Sequence, residues 1–401
     1  MEILCLMGLF PEEYREQIQE DSKSGMQYAA DKLQWAIVRG LDQIDGVTVK
    51  IANSLYIGSY PRRYKRIKIP TFSFKHSEEA SGDTNIGFCN LIGYKFFSRY
   101  VTAKKVVKAW AEQKSDEEKV LLVYALTTPF CQIAEYVKKH YSEIKVCIVV
   151  PDLPEFMSTL QKKNLRSLMK SVEIKFLKKA TKDLDCFVFL TDAMKEWFKK
   201  PVKYTVVEGI ASGASTPSAT IGEKKKSIIY AGGIKKEYGV VDLVDAFIAV
   251  DNPEWELIIY GDGSAVAEIR SKIGGRSNIK LMGSVPNVEV VAAQREASLL
   301  VNPRKNQIFT KYSFPSKVLE YMSSGTPMMA YKLDGIPTDY DGNYYRIDED
   351  ENGFENTLRR VMEFSDEERY EMGDKAKKFV LENKNPKVQC EKIIKLINEC
   401  N

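Results

Sequence analysis

The chain has 401 residues, of which 44% are hydrophobic and 28% charged, and its formal net charge is +4. This length exceeds what one ordinary hydrophobic core holds and predicts two domains, while the balanced composition excludes a disordered, fibrous or repeat protein. A globular enzyme is the class that these properties favour.

The first residues and the cysteines bear on location. The opening segment MEILCLMGLFPEE has an acidic second residue and a short apolar run, and no uncharged apolar segment is long enough to span a bilayer. Seven cysteines without a C-x-x-C pair, together with two histidines (His76 and His140), indicate reduced thiols and no metal site. We therefore expect a cytoplasmic protein.

The excess of Lys and Arg lies in the first 200 residues, with dense clusters at 61–68 (PRRYKRIK) and 161–182. Apolar residues alternate with these cations at near-helical spacing, so a solvated helix face is the simplest interpretation. Peripheral contact with an anionic membrane is the second, because each Lys or Arg near acidic lipid contributes about 1 kcal/mol. Nucleic acid is not indicated, because no binding motif with stacking aromatic residues is present.

Short apolar segments alternate with helical patterns along the first half of the chain. The predicted strands are 1–7, 47–51, 120–125, 145–150, 185–190 and 205–207. Helices are predicted at 25–41 and in the two segments that follow the third and fourth strands. About fifty residues before position 120 have little periodicity and receive no assignment. Strands that are apolar on both faces and alternate with helices predict a parallel sheet covered by helices.

A second half of the same kind follows a change in composition. Residues 208–226 are rich in Gly, Ser, Thr and Ala and are typical of a linker. The strands predicted beyond it are 227–233, 255–263, 278–283, 297–302 and 326–331. The pattern predicts an α/β protein of two doubly wound, Rossmann-like domains, 1–207 and 227–384, that face a cleft. We expect the amphipathic helix near 385–401 to return to the first domain.

The segment YSFPSKVLEYMSSGTPMMA (312–330) predicts a short helix with one carboxylate, Glu320. Pro315 suits the first helical position, Ser316 or the serine three residues earlier suits the cap, and Gly325 suits the C-terminal end. The carboxylate then lies one to two turns from the positive end of the helix, where free N–H groups favour an anion.

Cations surround this helix in the sequence. Lys317 precedes Glu320 by three positions, so a surface ion pair is one interpretation. The preceding loop, 301–314, adds Arg304 and two lysines directly after a buried strand. Such cations beside a helix N-terminus suit a diphosphate, and a nearby carboxylate suits the hydroxyls of a ribose.

Two glycine-rich turns end strands in the same half, AGGIKKEYG (231–239) and YGDG (260–263). Glycine lets the backbone approach a ligand closely, although such turns also serve simply to connect a strand to a helix. Together with 313–330 they predict one site for a nucleotide diphosphate. No G-x-x-x-x-G-K-[ST] sequence occurs, so this is not a P-loop.

These segments together resemble the family-4 retaining glycosyltransferases, which have the GT-B fold. The resemblance covers the second half through the successive blocks 229–247, 257–263, 278–286 and 314–330. In the first half it is looser and depends on 24–41, 149–157 and 189–198. It implies transfer of a sugar from a nucleotide-diphosphate sugar to an acceptor hydroxyl, with retention at the anomeric carbon, without a metal or any cofactor besides the nucleotide sugar.

The resemblance also implies roles for individual residues. Glu320 would hold the ribose, Arg304 and Lys317 would face the diphosphate, Asp152 would act on the acceptor side, and Gly25 would lie in an acceptor loop. Asp152, Arg304 and Lys317 are the catalytic candidates, although Asp152 also suits a simple turn in Pro-Asp-Leu-Pro. The other candidates for donor binding are Gly232, Gly233, Lys235, Lys236, Gly261, Gly263, Tyr312, Phe314, Pro315 and Ser316.

Three positions depart from the family pattern. Tyr312 occupies the place of a glutamate that contacts the sugar, and Gly233 and Tyr238 occupy the places of an arginine and a lysine. Arg304 and Lys317, with Lys235 or Lys236, are the cations that could compensate. Tyr312 could offer its hydroxyl or its backbone to the sugar.

We therefore expect a glycosyltransferase of polysaccharide assembly, which uses a saccharide or lipid-linked acceptor at the inner face of a membrane and favours a UDP-sugar. Because three polar anchors differ, a catalytically silent accessory subunit of another transferase is the alternative. A nucleotide-sugar epimerase on a similar fold is a third interpretation.

Overall fold

A computed structural model of the chain describes residues 1–23, 25–155, 165–211 and 224–400. It divides into two compact units, Met1–Ile210 with Pro386–Asn401, and Ala211–Asn385. Most of the predicted linker, the start of the basic cluster 161–182 and the end of the segment 149–157 lie outside the described residues.

The first unit contains an eight-stranded sheet in the order β10-β9-β8-β7-β1-β2-β5-β4. Every neighbouring pair is parallel except β4 and β5, and β3 and β6 form a separate antiparallel pair. The strands are β1 (Glu2–Met7), β2 (Thr48–Asn53), β3 (Lys68–Ile69), β4 (Phe72–Ser73), β5 (Thr84–Asn85), β6 (Phe88–Cys89), β7 (Lys119–Tyr124), β8 (Lys145–Val150), β9 (Cys186–Phe189) and β10 (Tyr204–Val206).

Helices cover both faces of this sheet. They are α1 (Arg15–Asp21), α2 (Tyr28–Leu41), α3 (Lys95–Ala111), α4 (Thr128–His140) and α5 (Leu165–Ala180), with the C-terminal α12 (Pro386–Asn398). Alternate residues of a strand point to opposite faces. Cys5 packs in one core with α2 and α12, whereas Leu4 lines a cavity beside α3 on the other face. In the first core, the Cys390 thiol of α12 donates to the carbonyl of Ile37 in α2 at 3.3 Å.

The 17-residue helix α3 lies in the segment that received no assignment. Its apolar residues do not keep to one face, because Phe96 and Phe97 are 57% and 59% exposed, whereas Arg99 is buried with 3% exposure. A period of 3.6 residues appears only when apolar residues share the buried side of a helix. The missing periodicity therefore results from apolar residues on the solvent side.

The second unit contains a six-stranded sheet, entirely parallel, in the order β13-β12-β11-β14-β15-β16. Its strands are β11 (Lys225–Ala231), β12 (Glu256–Tyr260), β13 (Ile279–Gly283), β14 (Ala297–Asn302), β15 (Met328–Ala330) and β16 (Tyr345–Arg346). Its helices are α6 (Val240–Val250), α7 (Val266–Ile273), α8 (Asn287–Glu296), α9 (Lys317–Ser324), α10 (Gly353–Glu363) and α11 (Asp366–Asn383). The predicted parallel sheets covered by helices are confirmed.

Among the described residues, the helices are all too short or too polar to cross a bilayer. All seven cysteines are free thiols.

A histidine between two carboxylates joins α2 to the edge strands of the first sheet. The His76 ring contacts Asp83 at 2.6 Å through Nδ1 and Asp42 at 3.2 Å through Nε2, and its side chain is 3% exposed. Asp83 also accepts from the backbone N–H of Ile51 at 2.9 Å, which connects the pair to β2. Burial alone lowers the pKa of His76, but its bonds to Asp42 and Asp83 raise it to about 9.

This arrangement predicts a pH-dependent contribution to stability. The pKa of an unfolded histidine is about 6.5. The folded protein therefore holds this proton more tightly, so the contribution is complete below pH 6.5 and is lost as the pH rises through 9. Relative to His76→Gln, the wild-type free energy of unfolding should fall by about 1 to 3 kcal/mol between pH 6 and 9.5, as urea unfolding would measure. His140→Gln, at the exposed histidine, is the control, and identical pH profiles for wild type and His76→Gln would contradict the assignment.

Candidate functional site

The turns predicted to bind a ligand meet at one edge of the second sheet. In a parallel sheet the carboxyl ends of all strands lie at the same edge, and ligands bind beyond it. The turn after β11 bonds to the end of β12, because Gly232 N–H donates to the carbonyl of Tyr260 at 3.0 Å. The turn after β12 bonds to the end of β13 in the same way, from Gly261 N–H to the carbonyl of Gly283 at 2.8 Å.

Glycine is required where these turns touch. A β-carbon at Gly261, where φ is +127°, would lie 1.8 Å from the carbonyl oxygen of Gly232. At Gly263 it would lie 2.2 Å from the carbonyl oxygen of Ile234. Neither contact can accommodate a side chain unless backbone moves, so these glycines have a packing role whether or not a ligand binds.

The helix α9 begins later than the sequence suggested. Pro315 precedes the N-cap, Ser316, instead of occupying the first helical position, and the Ser316 side chain makes no capping hydrogen bond. The helix ends at Gly325 with φ of +78°, as predicted. Its position is set by Tyr321, whose buried hydroxyl accepts from Ala231 N–H at 2.9 Å at the end of β11.

Glu320 is held by two neighbours. Its Oε1 atom accepts from Lys317 Nζ at 2.8 Å and from Gln294 Nε2 at 2.9 Å. Gln294 lies on α8 and is fully buried. The ion pair allowed by the spacing of Lys317 and Glu320 is therefore present. An incoming anion would compete with Glu320 for Lys317.

Arg304 is a cation that is already held in place and has a hydrogen-bond donor available for an anion. Its guanidinium lies 5.1 Å from the ring centre of Tyr238 and 4.8 Å from that of Phe309. Burial lowers the pKa of Arg304, although a guanidinium stays charged in proteins. Among the described residues, its buried Nε has no hydrogen-bond acceptor. The two rings fix a charged group that has an unused N–H donor.

Most of the neighbouring cations have carboxylate partners. Lys305 pairs with Asp242 at 2.8 Å, and Lys236 pairs with Glu268 at 3.3 Å. Lys235 lies over the Tyr238 ring at 5.6 Å, on the same aromatic residue that contacts Arg304.

Two aromatic residues, Tyr312 and Phe314, lie just before α9. Tyr312 ends a short 3-10 turn, and the Lys311 ammonium lies 4.7 Å from its ring centre. Phe314 is buried, 5.6 Å from the ring centre of Tyr340. Its side chain belongs to the core, so only its backbone remains for the predicted contact with a ligand.

Two candidates lie in the first unit. Asp152 follows β8 in a bend and is exposed to solvent, although neighbouring protein atoms partly desolvate its carboxylate and raise its pKa. Gly25 precedes α2, and a β-carbon there would meet no atom within 4 Å. Space for a side chain means that packing does not require glycine at this position.

Sequence reasoning missed three residues of the second-unit site. Gln294 positions Glu320, Tyr321 anchors α9 to β11, and Phe309 covers Arg304. An aromatic residue five positions after an arginine was a weak signal for Phe309. No local sequence pattern indicated the roles of Gln294 and Tyr321, because their contacts join segments that are far apart in the sequence.

The second unit matches a known family by sequence. Residues 225–363 match the family model described as glycosyl transferases group 1. A curated relative, the exopolysaccharide phosphotransferase of Streptomyces coelicolor, is 26% identical over 161 residues. That alignment covers 37% of this chain and 16% of the relative, so the chain spans only a small part of the relative's length.

Solved structures match both units. Sucrose-phosphate synthase from Thermosynechococcus elongatus aligns over 100% of this chain and 99% of its own, with a TM-score of 0.65 and 12% identity. HepE from Anabaena, solved with UDP, aligns over 100% of both chains with a TM-score of 0.56 and 13% identity. A TarM variant from S. aureus, solved with UDP, α-GlcNAc-glycerol and fondaparinux, aligns over 99% of both with a TM-score of 0.57 and 12% identity.

These matches agree with the fold predicted from the sequence. Residues 225–363 are similar to glycosyl transferases group 1, and the chain as a whole has the GT-B fold of glycosyltransferases.

Proposed function

We propose that this chain is a retaining, metal-independent glycosyltransferase of family 4 that uses a nucleotide-diphosphate sugar. The observation that carries the proposal is Arg304, a charged group fixed between Tyr238 and Phe309 with an Nε donor that has no acceptor among the described residues. A buried donor without an acceptor is costly unless a ligand supplies one, and diphosphate oxygens are strong acceptors for a guanidinium.

The chemistry requires stabilisation of the leaving group. The bond between the anomeric carbon and the diphosphate breaks, negative charge collects on the phosphate oxygens, and the acceptor oxygen bonds to the same carbon. Arg304 and Lys317 would stabilise that charge without a metal. For retention, the departing phosphate would take the proton of the acceptor hydroxyl on the same face of the sugar.

Binding of the donor would rearrange one ion pair. Lys317 now bonds to Glu320, so its turn toward phosphate would leave Glu320 bonded to Gln294 and able to accept from the ribose hydroxyls. Gly232, Gly233, Gly261 and Gly263 would bring backbone close to the nucleotide. Tyr312 would contact the sugar at the position where related enzymes have a glutamate.

The molecules bound to similar proteins support a donor class and an acceptor class for this proposal. HepE and TarM were both solved with UDP, which supports a UDP-sugar, and TarM was also solved with a glycoside. The name of the curated relative refers to an exopolysaccharide. A saccharide or lipid-linked acceptor of polysaccharide assembly is therefore proposed, with Asp152 and Gly25 on its side and the reaction in the cytoplasm.

A catalytically silent accessory subunit is the second candidate. It is favoured by Tyr312, Gly233 and Tyr238, which stand where the family pattern has three charged residues. Such a protein would retain the fold without turning over a donor.

A donor screen tests the function directly. The full chain is incubated with a panel of nucleotide-diphosphate sugars, with and without EDTA, and the released nucleotide is measured by mass spectrometry. We expect slow release of UDP from a UDP-sugar, with rates unchanged by EDTA. Absence of both nucleotide binding and release would favour the accessory subunit. Conversion of the donor to an isomeric nucleotide sugar, without acceptor, would instead identify an epimerase.

Arg304→Met tests the proposed phosphate contact. Loss of a charge-assisted hydrogen bond removes about 1.5 to 3 kcal/mol, so UDP affinity in calorimetry should fall at least about tenfold. Turnover should fall about 100-fold, because the bond strengthens as the diphosphate leaves. Lys305→Met is the matched control, because the Lys305 ammonium, next to Arg304 in the sequence, already pairs with Asp242. Equal UDP affinity and turnover for wild type and Arg304→Met would refute the role of Arg304.

A further inference from the structure

Six large apolar side chains are exposed together around the start of α3. The apolar patch consists of Leu91, Ile92, Tyr94, Phe96, Phe97 and Val101. Phe96 and Phe97 are each more than half exposed, at 57% and 59%. Scattered exposed apolar residues need no explanation, but six within eleven positions, with the Tyr94 and Phe97 ring centres 5.5 Å apart, are typical of an interaction surface.

A strongly positive segment lies directly beside this patch. The cationic loop, residues 61–68, has five exposed cations: Arg62, Arg63, Lys65, Arg66 and Lys68. Backbone hydrogen bonds join the two segments, from Ile92 N–H to the carbonyl of Tyr60 at 3.2 Å and from Asn90 N–H to the carbonyl of Ile67 at 2.7 Å. The apolar patch and the cationic loop thus form one surface.

The sequence segments that form this surface contain no carboxylates, although the acidic end of α1 lies beside the loop, where the Asp21 carbonyl accepts from Lys65 N–H at 2.8 Å. No Asp or Glu occurs in 59–77 or in 84–111. Of the five cations in the loop, Arg66 alone has a carboxylate partner among the described residues, Asp21 at 2.6 Å. The surface therefore combines exposed apolar side chains with four cations that have no ion-pair partner among the described residues.

The patch stands on a rigid support. Lys95 donates to the carbonyl of Ile57, and Arg99 donates to the carbonyl and hydroxyl of Ser54 at 2.6 and 2.9 Å. The Arg99 guanidinium also lies 4.9 Å from the ring centre of Phe130 in α4. Because these buried bonds fix the first two turns of α3, the apolar side chains point outward from an anchored helix.

We propose that this surface binds the interface of an anionic phospholipid bilayer, with the apolar patch inserted among the lipids and the cationic loop on their phosphates. Aromatic residues favour the membrane–water interface, and apolar faces enter it by about 5 to 10 Å. A second copy of the chain is a poor occupant, because a symmetric contact through this surface would place the cations of both copies in one interface. The second basic cluster, 161–182, lies partly outside the described residues and has no part in this proposal.

Membrane binding requires only the folded first unit. Membrane binding would also bring the chain to a lipid-linked acceptor, and this consequence rests on the proposed function.

Vesicle co-sedimentation of the full chain tests the surface. At physiological ionic strength, wild type should bind vesicles that contain phosphatidylglycerol at least tenfold more tightly than vesicles of phosphatidylcholine alone. Phe96→Ser/Phe97→Ser and Arg62→Glu/Arg63→Glu should each weaken binding to anionic vesicles at least tenfold. Because all four side chains are exposed, the thermal unfolding of both variants should match wild type. In Phe97→Trp, the added indole fluorescence should be quenched by lipids brominated on the acyl chain.

Matched control variants distinguish binding through this surface from non-specific adsorption to vesicles. Val288→Ser removes an apolar side chain that is 74% exposed in the second unit. Lys32→Glu/Lys395→Glu reverses two exposed cations on α2 and α12, on the opposite face of the first sheet. Both controls should bind vesicles like wild type.

Three outcomes would overturn the proposal: equal binding to neutral and anionic vesicles, wild-type binding by the patch and loop variants, or self-association that depends on Phe96 and Phe97 without vesicle binding. Affinity for a panel of nucleotide diphosphates, measured without lipid, separates the two proposals. Vesicle binding by a chain that binds none of the nucleotide diphosphates in the panel would count against the transferase and leave the membrane surface intact. Binding of a nucleotide diphosphate without vesicle binding would overturn the membrane surface and leave the transferase intact.

Discussion

Contact between backbone segments at the carboxyl edge of the second sheet is the constraint on which the candidate site depends. Gly239, with φ of +75°, ends the turn after β11 so close to the next loop that a β-carbon would lie 2.1 Å from the carbonyl oxygen of Pro303. Pro303 directly precedes Arg304, so the glycine turn sets the start of the loop that positions the guanidinium. Tyr238, one residue before Gly239, supplies one of the two rings against it.

Two cations of this site are in different electrostatic states. Arg304 has aromatic neighbours and an Nε donor without an acceptor in the described part of the chain, whereas Lys317 is neutralised by Glu320. A ligand would gain the Arg304 interaction without breaking an ion pair, but it would have to separate Lys317 from its carboxylate. Arg304 would therefore dominate the initial recognition of a diphosphate, and Lys317 and Glu320 would change partners together.

The sequence predicted the longer strands and the carboxyl edge, because apolar β-branched segments and glycine turns are local patterns. It did not predict the two-residue strands β3 to β6 and β16, which are too short to show a period. It was less informative where a residue acts through distant contacts. Gln294 and Tyr321 hold Glu320 and α9 from within the core, and no local pattern reveals such a partner. The helix α3 escaped prediction for a different reason, since its exposed phenylalanines obscured the amphipathic period. Phe314 lies inside a segment that the sequence predicted to bind a ligand, yet its side chain packs in the core against Tyr340.

A crystal structure of the full chain with UDP would test the central claim most directly. We predict diphosphate oxygens within hydrogen-bonding distance of the Arg304 guanidinium, ribose hydroxyls on the Glu320 carboxylate, and Lys317 turned from Glu320 toward phosphate. A nucleotide bound elsewhere, with Arg304 still without an anion and the Lys317–Glu320 pair unchanged, would contradict the account.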